Sequence, residues 1–296
     1  MQGSSEVEKG KLMSRTIMMA TVIISLLGAT VDAVAGGWTR QQGTGYYKIG
    51  FQIIRANMFY EPNGNKTRIT PLGDYTVSVY GEYGITDWLT GIGYLPFYKR
   101  ITLDRVVGRP SGIVYFPGDE TSGIADMAVG VRLALVRQSP TVLGLAAMFG
   151  IPIGDGDQPN GLLTGDGEFD QLVALEAGHS FHPLPMFATA QVGFNNRTRG
   201  FSDEFRYGAQ LGYTFNNLIL LTIHARGVES LRNGDDSVIG GMNGLYANNQ
   251  QYLEYGIEGI YLLSSAYGIS LAVDTATRGR NVLSALKYSF GVSLSM

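Results

Sequence analysis

Hydrophobic and polar side chains alternate one for one along much of this chain. Between Phe205 and Phe215, the residues Phe205, Tyr207, Ala209, Leu211, Tyr213 and Phe215 are apolar or aromatic, while Arg206, Gly208, Gln210, Gly212 and Thr214 are polar or glycine. Successive side chains of a strand point to opposite faces, so this pattern predicts a strand with one oily and one wet face. The same period sets Tyr47, Ile49, Phe51 and Ile53 against Lys48 and Gln52. It sets Met127, Val129, Val131, Leu133 and Leu135 against Asp126 and Arg132. It returns at the end, where Tyr288, Phe290, Val292, Leu294 and Met296 oppose Lys287, Ser289 and Ser293.

The breaks in the pattern have their own order. Short turns are expected near Ile85-Thr86-Asp87, Ser139-Pro140, His182-Pro183-Leu184-Pro185, Asn216-Asn217 and Ser264-Ser265. Longer connections rich in glycine, aspartate and asparagine are expected near 61–73, 106–122, 154–169, 196–202, 233–249 and 278–284. Alternating tight turns and long loops is the asymmetry of an outer-membrane barrel, tight on the periplasmic side and long outside. Five short and six long connections join twelve strands of about twelve residues each, within a range of ten to fourteen strands. An even count leaves both ends of the barrel on the periplasmic side. Aromatics flank the turns (Tyr83 and Trp88, Phe181 and Phe187, Tyr213 and Phe215, Tyr261 and Tyr267), which predicts a girdle at the membrane interface.

The two ends carry addressing signals. Lys9, Lys11 and Arg15 precede an apolar stretch from Ile17 to about Val31, followed by Ala33-Val34-Ala35. That is the layout of an export signal cleaved after Ala35, and the apolar run falls short of the ~20 residues a membrane helix needs. Residues 1–35 are therefore expected to be a signal peptide, with translation starting at Met1 or Met13, and residues 36–296 the barrel. In the last strand, Ser289, Gly291, Leu294 and Met296 resemble the C-terminal signal read by the bacterial barrel-assembly machinery, although phenylalanine is the usual final residue.

Composition narrows the class. The chain has no cysteine, so neither disulfides nor thiolate metal sites hold it together. Glycine accounts for 41 residues and tyrosine plus phenylalanine for 30, while no apolar run after residue 36 reaches 18 residues, which excludes a helical membrane protein. A net charge of −3 gives no field for nucleic acid. The expectation is an all-β, transmembrane, antiparallel up-and-down barrel in the outer membrane of a Gram-negative bacterium, surrounded by lipid; a soluble β-sandwich is the alternative.

Three segments resemble a known family. Gly150-Ile151-Pro152-Ile153-Gly154-Asp155 leads out of an apolar strand in the manner of the outer-membrane proteins named for the phenol-degradation meta-pathway. Thr164 to Gln171 and Gly193 to Gly208 resemble a branch of such barrels labelled XagA-like. The resemblance runs from about Trp38 to Met296. It implies a barrel and a role in uptake of small, often aromatic or apolar, compounds, and it brings no functional residues with it.

If the oily face meets lipid, the polar face lines the lumen, because an Arg or Lys at the bilayer midplane costs about 2–4 kcal/mol. By alternation the lumen candidates are Lys48, Glu82, Asp126, Arg132, Glu176, Arg206, His224, Arg226, Glu254, Glu258, Asp274 and Lys287. Arg206, His224 and Arg226 fall on neighbouring strands with Glu254 and Glu258 on the next, which predicts opposed rows suited to small polar or zwitterionic solutes as readily as aromatic ones. In the loop from Gly154 to Phe169, Asp155, Asp157, Asp166 and Glu168 form a weak candidate cation site; Pro159 stands where a calcium-loop ligand belongs, and a solvated acidic loop is the plainer reading. A lipid hydrolase would need a Ser, His and Asp or Asn in reach of one another. His182 lies in a turn, His179 on the lipid register, and His224 inward with no serine motif nearby. No cofactor motif is present. The function expected is passive passage of small molecules across the outer membrane, against a non-conducting structural or adhesin barrel as the rival.

Overall fold

A computed structural model describes residues 36–241 and 246–296. The expected signal peptide and its two candidate start sites, Met1 and Met13, lie outside the described residues. The strands are β1 (Gly45–Tyr60), β2 (Lys66–Thr86), β3 (Leu89–Leu103), β4 (Val106–Val107), β5 (Val114–Phe116), β6 (Asp119–Gly123), β7 (Met127–Val136), β8 (Thr141–Ile151), β9 (Asp170–Ser180), β10 (Met186–Asn196), β11 (Glu204–Phe215), β12 (Ile219–Ser230), β13 (Gln251–Leu262), β14 (Tyr267–Arg280), β15 (Val282–Leu283) and β16 (Leu286–Ser295).

Twelve of these close into an antiparallel barrel. Neighbours in sequence pair in the wall, and β1 pairs with both β2 and β16, so no edge is left open. Short β6 continues the wall above β7 along β3, and β15 does the same above β16 along β1. At the seam, Gly45 and Met296 exchange backbone hydrogen bonds of 2.6 and 2.9 Å.

The alternation sets the faces as expected. Ile49, Phe51, Val173, Leu175, Ile223, Ile257, Leu271 and Val292 are exposed on the outer wall, whereas Lys48, Glu82, Glu176 and Asp274 are buried within. A belt this apolar on the outside of a closed barrel meets hydrocarbon, not water. All five short turns fall where the breaks placed them, at 87–88, 137–140, 181–185, 216–218 and 263–266.

The other end departs from expectation. β2 starts at Lys66, so the first connection is only 61–65, and β14 runs on to Arg280. The twelve wall strands run from 10 residues in β7 and β16 to 21 in β2. At ~3.4 Å per residue, β2 far exceeds a bilayer crossing, so β1, β2 and β3 project beyond it. Within 106–122, the loop forms the β4–β5 hairpin and then β6. One girdle residue is also misplaced. Phe187 is buried and points inward, because β10 pairs it with inward Gly212, leaving its ring in the lumen. Tyr83, Trp88, Tyr213, Phe215, Tyr261 and Tyr267 are exposed on the outside as expected.

Two apolar clusters fill the interior at different heights. Near the short turns, Tyr46, Tyr80, Phe187, Leu220, Ile260 and Leu262 gather around Trp38. Near the long loops, Leu72, Ile101, Leu103 and Leu162 pack with Tyr246 and Phe116. Polar side chains occupy the space between.

Candidate functional site: a lumen closed at both ends

The lower closure is built from residues 36–44, which precede β1 and run inside the barrel. Gly37 makes the close approach possible: a Cβ there would stand within 3 Å of backbone atoms of Gly144 and Glu176. Trp38 meets Phe187 edge-on, with ring centroids 6.3 Å apart. The Arg40 backbone N–H donates to Thr90 Oγ1 at 2.8 Å, and its Nε donates to Glu82 Oε2 at 2.7 Å. Arg132 donates from Nη1 to Glu82 Oε1 at 3.0 Å and from Nε to Glu176 Oε2 at 2.6 Å. Tyr80 completes Glu82 through its hydroxyl at 2.7 Å. Charges this deep are tolerable only when each is paired and hydrogen-bonded, and here two arginines face two carboxylates.

The upper closure is the 152–169 loop. Asp126 accepts hydrogen bonds from the Gly154 and Asp166 backbone N–H groups at 2.8 and 2.9 Å, pinning both limbs of the loop. Leu162, fully buried, inserts among Leu72, Ile101 and Leu103. Tyr246 donates its hydroxyl to the Thr164 carbonyl and lies under the Lys99 ammonium, 5.3 Å from the ring centroid. Lys99 in turn pairs with Asp74 at 2.8 Å.

Arg197 anchors the loop from the side. It contacts Glu168, Glu204 at 3.0 Å and Asp166 at 3.4 Å. Burial pushes the Glu168 carboxyl up to about 8 despite Arg197, and burial raises Asp166 to about 6. Three of the four carboxylates of the candidate cation site are engaged separately. Asp166 and Glu168 are engaged by Arg197, while Asp155 accepts from the Asp157 N–H and the Gln158 side chain, so the four carboxylates do not converge.

Between the closures lies a charged layer. Lys48 pairs with Glu258 at 2.8 Å. Lys287 contacts Glu254 at 3.0 Å and Asp274 at 3.8 Å, and Arg226 reaches Glu254 at 3.5 Å. His224 Nε2 stands 2.6 Å from Asp274 Oδ1. Arg226 and Glu254 are direct cross-strand partners, as are Asp274 and Lys287. The expected opposed rows therefore do not exist: acid and base interleave in pairs, and Arg206 turns away to Glu204 at 2.8 Å. Ligand atoms of His224, Glu254 and Asp274 lie within 4.8 Å of one another, but Lys287 and Arg226 are inserted among them, a poor environment for a cation. A cavity of about 250 Å³ adjoins this layer, lined by Gln52, Lys99, Tyr252, Glu254, Asp274 and Lys287.

All twelve lumen candidates face inward or toward the loops. Lys48, His224, Arg226, Glu254, Glu258, Asp274 and Lys287 belong to the middle layer. Glu82, Arg132 and Glu176 hold the lower closure, Asp126 the upper, and Arg206 pairs at its margin. The alternation missed Arg40, which precedes the strands, and Arg197, which follows β10. Arg40 left a trace: Glu82 and Glu176 outnumber Arg132 among the lower candidates, and a buried surplus carboxylate calls for another cation.

No protein-family description matches this chain, and no curated protein matches it. Solved structures do resemble it. The COG4313 outer membrane channel from Pseudomonas putida F1 superposes with a TM-score of 0.68 at 14% identity, covering 91% of this chain and 100% of that one. The NanC porin gives 0.51 at 10% identity over 85% and 100%. At such identities the likeness is one of fold: this chain has the fold of an outer-membrane barrel.

Proposed function

We propose that this chain is an outer-membrane channel for passive movement of small solutes, closed at rest by two of its own segments. The observation that supports it most is the arrangement of the lumen. A charged layer with an adjoining cavity lies between two closures, and neither closure belongs to the wall. Residues 36–42 and the 152–169 loop lie outside the strand ladders, whereas Gly43 and Thr44 already bond to Gly84 of β2. In the middle layer, Lys48, Arg226 and Lys287 balance Glu254, Glu258 and Asp274, which favours small neutral or zwitterionic solutes over strongly charged ones. The aromatic or apolar substrates implied by the resemblance to the phenol-degradation and XagA-like barrels remain a second class to test.

Location follows from the same features. The outer belt suits lipid, the amino-terminal segment reads as an export signal, and the last strand, with Ser289, Gly291, Leu294 and Met296, offers the assembly machinery its signal. His224 is read as a structural lumen residue, because its Nε2 lies against Asp274 and Arg226 rather than a nucleophile.

The test is single-channel recording on residues 36–296 and on a form lacking 36–43 in planar bilayers. Brief openings in the former and larger, steadier ones in the latter are expected. Silence from both, with the barrel folded, would dispose of the channel.

A further inference from the structure

A second cavity, of about 420 Å³, lies at the rim near the long loops and is lined by Tyr60, Tyr207, Glu229, Gln251, Arg278 and Arg280 among others. Strand register puts its charged lining on the outside of the barrel. Phe205 pairs with Glu229, Glu229 with Gln251 and Gln251 with Arg280, in one row across four strands. The next row is Tyr207, Gly227, Leu253 and Arg278. Two and four residues further down the same columns stand Ala225, Tyr255, Ile223 and Ile257; Tyr255 and Ile257 are each 46% exposed and Ile223 53%, on the lipid-facing wall. Opposed residues share a face, so Tyr207, Glu229, Gln251, Arg278 and Arg280 look outward, while Tyr252 and Gly279, paired on the alternate register, back the cavity from the inner side.

Its charge has no internal explanation. Glu229 is taken up by Gln251 and Tyr207. Among the described residues, neither Arg278 nor Arg280 forms a salt bridge or side-chain hydrogen bond. The β1–β2 turn folds over toward the same place. Tyr60 donates to the Thr277 carbonyl at 3.0 Å, and Lys66 sits 4.8 Å from the Tyr60 ring centroid. On this rim Arg55 pairs with Asp104 at 2.7 Å and Arg100 with Glu120 at 2.5 Å, while exposed Arg105, Arg109, Arg199 and Arg232 form no ion pair among the described residues; what sets Arg278 and Arg280 apart is the apolar column beneath them. Two unpaired guanidinium groups beside a lysine, above an apolar column, form a site for an amphiphile whose head is anionic.

We propose that this outer groove binds the phosphorylated head of an outer-leaflet glycolipid. Arg278 and Arg280 hold its phosphate, and the acyl chains lie down the wall along Val273, Leu271, Tyr255 and Ile257. Guanidinium forks match phosphate oxygens two at a time, and Tyr207 beside them suits a sugar face. A free anion would use the arginines but gain nothing from the apolar column. The inference needs the barrel to sit in an outer membrane, and is independent of whether the lumen conducts.

The experiment uses the folded full barrel in nanodiscs of phosphatidylcholine carrying bisphosphorylated lipid A, with retained lipid counted by native mass spectrometry. The wild type should retain lipid A, and the double variant Arg278→Gln/Arg280→Gln should lose about tenfold or more in affinity. Arg278→Lys/Arg280→Lys should fall between wild type and the Gln double variant, Arg100→Gln should match wild type, and lipid A lacking its phosphates should bind poorly. Heat-modifiable gel mobility checks that each variant is folded. Equal retention by wild type and the Gln double variant would overturn the proposal. So would displacement by millimolar inorganic phosphate, which would mark a free-anion site, or an equal loss in Arg100→Gln, which would mark general basicity.

Discussion

Arg40 lies outside the sheet altogether, yet its Nε donates to Glu82 at 2.7 Å in the interior of the barrel. One contact thus ties the segment before β1 to the wall, and Glu82 passes the connection to Arg132 and Glu176. Removing Arg132 should be the harshest single change here. Arg132→Met leaves Glu176 buried with no cation, and breaking a buried pair this way costs about 3–5 kcal/mol. Urea unfolding in detergent should show it, and adding Glu176→Gln should recover much of the loss.

Gly37 offers a way to open the lower end without harming the wall. A side chain there collides with backbone of Gly144 and Glu176, so Gly37→Val should expel the segment and enlarge the conductance. The midpoint of barrel unfolding should move little, since no strand pairing is touched. Unchanged conductance with the segment still protected from protease would refute the lower closure.

The chain has two tryptophans, on opposite sides of the wall. Trp88 is 51% exposed beside the first short turn, whereas Trp38 packs against Phe187 inside. In liposomes, brominated acyl chains should quench Trp88 strongly in a Trp38→Phe variant and barely affect Trp38 in a Trp88→Phe variant. Comparable quenching would place residues 36–44 outside the lumen.

The upper loop should loosen as pH rises. Glu168 and Asp166 have folded-state values above the ordinary carboxylate range, about 8 and 6, because both are buried. A carboxyl raised on folding binds its proton more tightly in the docked state, so docking is most secure below the ordinary carboxylate range and weakens as pH climbs from there to about 6 for Asp166 and about 8 for Glu168. Arg197 stays charged throughout and limits the effect. Hydrogen exchange across 152–169 should be faster at pH 9 than at pH 5.5 after correction for intrinsic rates; equal protection would rule the effect out.

Arg197 itself joins Asp166, Glu168 and Glu204. Arg197→Ala should leave buried carboxylates uncompensated, at a cost of about 3–5 kcal/mol to the docked arrangement. Because the loop can undock instead, the expected readout is rapid proteolysis between 152 and 169 with the barrel intact.

The wall is readable because a strand with lipid on one face and buried polar contents on the other writes its environment residue by residue. Lys48 and Ile49 reveal their sides at once. Where strands outrun the membrane that contrast fades, and the 66–73 stretch, with Pro71 and Gly73 in it, looks like a loop although it is part of β2. Phe187 misled for a different reason: an aromatic beside a turn suits the interface, but its register faces the lumen, where Trp38 supplies apolar company. The closures were the least legible part. Arg40, Leu162, Arg197 and Tyr246 act through long-range contacts of irregular segments, which leave no period to detect.

The interior resembles an airlock more than a pipe. On the proposed function, a cavity of about 250 Å³ between two separately held segments would let either open while the other stays shut. Traffic would then move in single small packets, and the envelope would stay sealed against ions and larger molecules during each transfer. Sensitivity to toxic compounds, rather than current alone, would register the loss of either door.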